Sequence, residues 1–265
     1  MSHNLPIGVF DSGVGGLTVL KTLEAQLPHE SFVYLADTAR LPYGDKTPQQ
    51  IIAYFHEIAE WMKNHPIKML MVACNTSSSL ALPTLETLED LPFPVIGTIQ
   101  PTVSRVAFSH RCLGLIATQA TVQSGAFEKN LKASNSNLSL HSIPCPKLVP
   151  LIESYNLNSE ETRAIVYEYL SPLLQHPIEG LIYGCTHYPH LSPLIKNILP
   201  PQSAIINPAD YMALEALSFL RTHNLLKTSG LAETTFYTTG CPQHFQSSLK
   251  IFYGKVTSVQ KVNFL

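Results

Sequence analysis

A chain of 265 residues with a formal net charge of −2 is long for one ordinary layer of core and comfortable for two units of roughly 100 residues each. Charged residues reach only 14%, against a usual share of roughly 25%, and Lys and Arg are scattered singly, so no basic stripe offers itself to a phosphate backbone and nucleic acid is not an expected partner. The longest apolar runs are too short to cross a bilayer, and the start MSHNLPIGVFDSG lacks the basic opening of a signal peptide, so no membrane partner is expected.

Short β-type runs alternate with helical patterns along the chain. IGVF (7–10) leads into GLTVLKTLEAQL, where Leu17, Leu20, Leu23 and Leu27 share one helical face before Pro28 ends the pattern. FVYLAD (32–37) reads as the next strand. The loop TARLPYGDK follows, then Thr47 as N-cap, Pro48 at the first helical position, and an amphipathic helix carrying Ile51, Ile52, Phe55, Ile58 and Met62. KMLMVAC reads as a buried strand, and PVIGTI, CLGLIAT, LSLHSI, GLIYGC and SAIIN continue the series with helical segments between them. This rhythm predicts an α/β protein with mostly parallel sheets flanked by helices on both faces.

The series carries an internal echo. IGVFDSG resembles LGLIATQ at an offset of 106 residues, and KMLMVACNT resembles EGLIYGCTH at an offset of 111. Two copies of one α/β unit are expected, with a second domain at 99–207. The tail from 208 returns to complete a discontinuous first domain, 1–98 and 208–265.

Five cysteines, an odd number without CxxC spacing, point to free thiols in a reducing cytoplasm. Loops at the carboxyl ends of parallel strands converge on a ligand crevice, and Asp11, Cys74, Thr118 and Cys185 each sit at or just past such an end. If the two copies face each other, Cys74 and Cys185 occupy equivalent places on opposite walls of one cleft. That suits inversion of a carbon stereocentre by proton transfer, which needs a base on one face and an acid on the other. A free thiol titrates near about 8.5, so the site must tune a thiolate opposite a thiol. NTSSS after Cys74 offers N–H groups at a helix start, and Ser192-Pro193 after THYPH offers an N-cap and first helical position. Asp11 and His187 are the nearest titratable groups to relay protons. None of these loops contains a Lys or Arg except the one carrying Arg40, so an anionic substrate is expected to be held mainly by N–H groups and hydroxyls, with DSGVGG as an anion-cradling turn. No lysine stands as a Schiff-base anchor, so a cofactor-free mechanism is the simpler reading.

Each signal has a plainer alternative. A cysteine ending an apolar strand is more often a small buried hydrophobe, and Cys112, Cys145 and Cys241 keep that reading. Repetition of context favours function for Cys74 and Cys185. Cys185, His187 and His190 lack structural-zinc spacing, so no metal is expected. Tyr43-Gly44 reads as a turn with an aromatic, TFYTTGCPQHF as structural, and Trp61 as core.

GVFDSGVGGLTVL, LADTARLPYGDK, VACNTSSS and YGCTHYP, in this order and spacing, closely resemble the glutamate racemases of bacterial cell-wall synthesis, within the aspartate/glutamate racemase family. CPKLVPLIE and FYTTG extend the similarity along essentially the whole chain. The resemblance implies two pseudo-symmetric α/β domains with the active site between them, and cofactor-independent interconversion of L- and D-glutamate for peptidoglycan. It places the catalytic pair on Cys74 and Cys185, acting on D- and L-glutamate respectively. It places substrate-binding pairs on Asp11 and Ser12, Tyr43 and Gly44, Asn75 and Thr76, and Thr186 and His187. Thr118 and Thr121 are implied to line the pocket, and Glu153 and His187 to assist Cys185. Asn207-Pro208, Gln100 and Tyr183 depart from the family's usual residues. A homodimer is the expected assembly. An aspartate racemase and a silent binder of acidic amino acids are the alternative readings.

Overall fold

The computed structural model describes residues 2–87 and 91–264. The chain opens with β1 (Ile7–Asp11), α1 (Gly16–Gln26), β2 (Phe32–Ala36), α2 (Pro48–Lys63), β3 (Met69–Val72), α3 (Asn75–Leu80), and β4 (Val95–Ile96). Local chemistry starts α2: Thr47 and Gln50 form a reciprocal capping box, and Pro48 follows at the first turn. Leu17, Leu20, Leu23 and Leu27 are all buried, as the spacing predicts. Of PVIGTI only Val95 and Ile96 pair in a strand, because α4 (Ile99–Val106) begins directly after Thr98.

The middle of the chain repeats the pattern with β5 (Cys112–Ala117), α5 (Gln119–Ser124), α6 (Ala126–Ser134), β6 (Ser139–Pro144), α7 (Leu148–Glu153), α8 (Glu160–Leu170), β7 (Gly180–Gly184), α9 (Ser192–Ile198) and β8 (Ala204–Ile206). Then come α10 (Pro208–Thr222), β9 (Thr234–Thr238), α11 (Pro242–Ser248), a π-helical turn Leu249–Tyr253, and β10 (Val259–Lys261). Asn207 caps α10 by accepting from the Ala209 N–H at 3.3 Å, so Asn207-Pro208 makes a complete helix start.

Every strand pair among the described residues is parallel, in two sheets of order β10-β9-β2-β1-β3-β4 and β6-β5-β7-β8. Four consecutive strands of the first sheet, β2-β1-β3-β4, match the entire second sheet strand for strand. This places β1 opposite β5 and β3 opposite β7, the pairs that the internal echo joins. The two strands after the second sheet, β9 and β10, extend the first one.

Strand alternation divides the core. Ile7, Val9, Tyr34, Met69 and Met71 face a shared interior with α1, α10 and the Tyr183 side of β7. On the other face, Phe10, Leu35, Leu70 and Val72 pack on Ile51, Phe55, Ile58 and Met62 of α2. Leu113, Leu115 and Ile182 pack on α4 and α6. Both sheets are covered on both sides, which is why their strands read as apolar runs. No helix among the described residues is long and apolar enough to cross a membrane.

Candidate active site

The carboxyl ends of β1, β3, β5 and β7 meet at one buried cavity. Ser12, Tyr43, Gly44, Cys74, Asn75, Thr76, Thr118, Cys185, Thr186 and His187 line it. Measured by where the centre of a water can sit, the cavity offers about 20 Å³, room for about one water.

Cys74 ends the β3 segment as the residue before α3, and its sulfur lies 3.8 Å from the Ser12 hydroxyl. Burial pushes this thiol up to about 12; the Asp11 charge adds to the rise, and the Ser77 N–H, the Ser77 hydroxyl and Ser12 oppose it. The small polar run after Cys74 is buried, and two of its serine hydroxyls turn to nearby backbone. Ser78 Oγ donates to the Val72 carbonyl and accepts from the Thr98 N–H, while Ser79 Oγ donates to the Thr76 carbonyl. Asn75 is 3% exposed, and its carbonyl Oδ1 has no hydrogen-bond partner.

Cys185 sits in a different setting. Its sulfur is 3.7 Å from His187 Nδ1, and His187 Nε2 is 2.8 Å from Glu153 Oε1 at the end of α7. Burial alone would lower the basicity of His187, but hydrogen bonds to Cys185 and Glu153, with their charges, hold it well above the usual histidine range. Burial likewise raises the Glu153 carboxyl, and the His187 bond and charge more than offset this, leaving it below the ordinary value. A protonated His187, held by Glu153, therefore stands beside the Cys185 sulfur.

Asp11 is fully buried behind the lining. Its carboxylate accepts from the Gly13 N–H at 2.9 Å and the Thr186 hydroxyl at 3.1 Å. Burial raises it, against the His187 charge and the Gly13, Gly16 and Thr186 bonds. The anion cradled by DSGVGG is thus the chain's own Asp11. Thr76, Thr118 and Thr121 close a hydroxyl triangle with edges of 3.0, 3.2 and 2.9 Å; Thr121 stands behind the other two. Thr118 also caps α5 through the Thr121 N–H. Gly44 lies against Thr118 so closely that an added Cβ would come within 2.9 Å of the threonine Cβ.

Several local expectations need correcting. Ser192 is not an N-cap: it lies inside α9, where its hydroxyl meets Tyr183 Oη at 3.0 Å, and a 3₁₀ turn Tyr188–Leu191 fills the gap after His187. Arg40 turns away to Asp37 and Glu57. Cys241 is exposed at the start of α11, whereas Cys145, read as packing, lines the cavity with Pro146 and Val149. Its position just past β6 is the signal that could have drawn attention to it. Leu41, Pro42, Asp45 and Gln119 also line the cavity and carried no signal. Trp61 is half-buried against His65 and Tyr237.

Two strand-for-strand equivalent parallel sheets, each ending a strand in a thiol at a shared buried cavity, define an α/β protein whose site is built by pseudo-symmetry from both halves. The chain belongs to the Asp/Glu/hydantoin racemase family, whose model matches residues 7–216. It is 43% identical over 258 residues to a glutamate racemase of Picosynechococcus sp., covering 97% of this chain and 92% of the relative. Among solved structures, it superimposes on a glutamate racemase isoform of Bacillus anthracis with a TM-score of 0.93, at 36% identity and 98% coverage of each chain. A glutamate racemase of Francisella tularensis, solved in complex with D-glutamate, gives a TM-score of 0.91 at 34% identity and again 98% coverage of each.

Proposed function

We propose that this chain is a glutamate racemase that interconverts L- and D-glutamate by a two-base mechanism, supplying D-glutamate for peptidoglycan. The observation that carries the reading is the pair of thiols, Cys74 and Cys185, delivered by equivalent strands to one cavity. In the L-to-D direction Cys185, beside the His187–Glu153 dyad, acts as the base and Cys74 as the acid. With L-glutamate bound, the Cys185 thiolate removes the α-proton, and the electron pair left on the α-carbon spreads into the adjacent carboxylate. Cys74 then donates its proton to the opposite face, yielding D-glutamate, a Cys74 thiolate and a Cys185 thiol. The reverse reaction starts from that second state, with Cys74 acting on D-glutamate. Only a proton moves at each thiol, so the scheme uses no cofactor.

Asn75 Oδ1, unpartnered in the cavity, is suited to accept from the substrate ammonium. Ser12, Thr76, Thr118 and Thr186 line the cavity with Tyr43 and Gly44, and we infer that these residues bind the substrate carboxylates. Asp11, held by Thr186, biases protons from behind the lining. Membership of the two sheets supports a division into domains 1–98 with 208–265, and 99–207.

The test is to incubate the protein, freed of metal and pyridoxal phosphate, with L-glutamate in D2O while following optical rotation and the α-proton NMR signal. Decay of rotation with matching loss of the α-proton is expected. Turnover of aspartate but not glutamate would move the substrate assignment, and no exchange with either would overturn the racemase reading.

A further inference from the structure

The segment FYTTG near the end of the chain is assigned no part in the chemistry above, yet its hydroxyls hold the loop that carries Tyr43 and Gly44. Between residues 38 and 46 Tyr43 is the one buried side chain, and Arg40 adds an ion pair to Glu57 and a contact with the Tyr54 ring. The Tyr43 hydroxyl donates to Asp37 Oδ2. The loop lines the cavity with Tyr43 and Gly44, flanked by Leu41, Pro42 and Asp45.

Asp37, just past β2, is fully buried and also receives Arg40 Nε at 2.6 Å. Its other oxygen, Oδ1, accepts from the Thr239 hydroxyl at 2.6 Å. The same Thr239 oxygen accepts from the Ala39 N–H at 3.1 Å, so this residue grips the loop's root at two points. Thr38 and Thr238 hydroxyls meet at 2.6 Å beside it. Gly240 permits the approach: a Cβ there would come within 2.3 Å of Thr38 Oγ1.

We propose that Thr239, acting through Asp37 and Tyr43, is a positioning residue that sets the Tyr43-Gly44 backbone at the distance from Thr118 that glutamate binding requires. The inference rests on the racemase reading and deepens it, making the returning tail part of substrate recognition. The proton-transfer pair lies elsewhere in the cavity, just past β3 and β7, so loosening the loop weakens binding and leaves the chemical step in place.

The experiment compares wild type, T239V, which keeps the shape but loses the hydroxyl, and T239S, which restores it. Racemisation kinetics in both directions are paired with calorimetric titration by D-glutamate and with thermal melting. Expected for T239V is a rise in KM and Kd on the order of tenfold, the worth of a hydrogen bond to a buried carboxylate, with kcat held within about threefold. T239S should return both constants close to wild type. D37N, which weakens the same link at its centre, should show the same signature, and T239V added to it should cost less than the product of the two. The inference fails if KM and Kd do not move in T239V, if T239S is as impaired as T239V, or if kcat falls while KM holds. Wild-type turnover judges the racemase reading separately from these ratios; a wild-type chain that neither turns over nor binds glutamate overturns both.

Discussion

Cys74 and Cys185 are chemically identical side chains placed in unlike surroundings. In the proposed two-base scheme each takes its turn as base, a turn that serine, which stays protonated, would lose. C74S and C185S are each expected to lower racemisation in both directions by a factor on the order of 10² to 10⁴, with circular dichroism melts close to wild type. Racemisation at the wild-type rate by either variant would contradict the two-base scheme. His190, three residues beyond His187, bears on stability instead. Burial, then the His187 and Lys21 charges, lowers it to about 4, and its ring packs on Phe252 at 4.6 Å. In the unfolded chain it titrates near about 6.5. Between those values the unfolded state binds the proton and the folded state does not, so stability falls as pH drops from about 6.5 toward 4. H190L keeps the apolar contact and removes this penalty. Relative to its effect at pH 8, it should gain about 2 kcal/mol at pH 5, read from denaturant melts at both values.

At the scale of elements, the site depends on how closely the turn into α1 approaches the segment after β7. A Cβ on Gly15 would lie 2.3 Å from Thr186 Oγ1 and 2.4 Å from His187 Nδ1. His187 cannot yield, since its ring is held between Cys185 and Glu153. G15A is expected to cost about 1–3 kcal/mol of stability and to lower kcat/KM on the order of 100-fold by shifting the dyad. A variant with wild-type kcat/KM would show that the dyad tolerates displacement. This contact also marks the limit of what could be read in advance. Strand and helix existence, the Thr47 cap and the position of both thiols were legible because apolar period and capping chemistry are local. The route from Asp37 to Thr239 spans about 200 residues of sequence, and no local pattern announces a hydroxyl that meets a carboxylate so far away. Ser192-Pro193 failed for the opposite reason: a good local start signal was overridden by the 3₁₀ turn that precedes it and by the tertiary bond to Tyr183.

For the whole molecule, the repeat was visible in two short echoes, and the sheet orders extend it to four strands in each half. The closure of the first sheet by the tail depends on a buried tie far from the cavity. Lys68 and Glu30 are both 0% exposed and pair at 2.5 Å, and Lys68 also donates to the His3 and Leu225 carbonyls at 2.9 Å each. Glu30 in turn accepts from the Lys227 N–H at 2.9 Å. One ion pair thus gathers the N-terminus, the approach to β2 and the chain between α10 and β9. K68M leaves Glu30 buried without its cation and should destabilise the fold by about 3–5 kcal/mol in denaturant titration. A loss below about 1 kcal/mol would mean that the tail is held by packing alone. The unlike surroundings of the two sulfurs carry a different kind of consequence. L- and D-glutamate are mirror images with equal free energies in water, and both directions cross the same barrier. Their kcat/KM values must therefore be equal, however unequal the flanking groups are. The His187–Glu153 dyad on one wall, with no imidazole–carboxylate counterpart beside Cys74 among the described residues, can make the two enantiomers saturate the enzyme differently, but any gain in kcat for one is matched by a proportionate change in its KM.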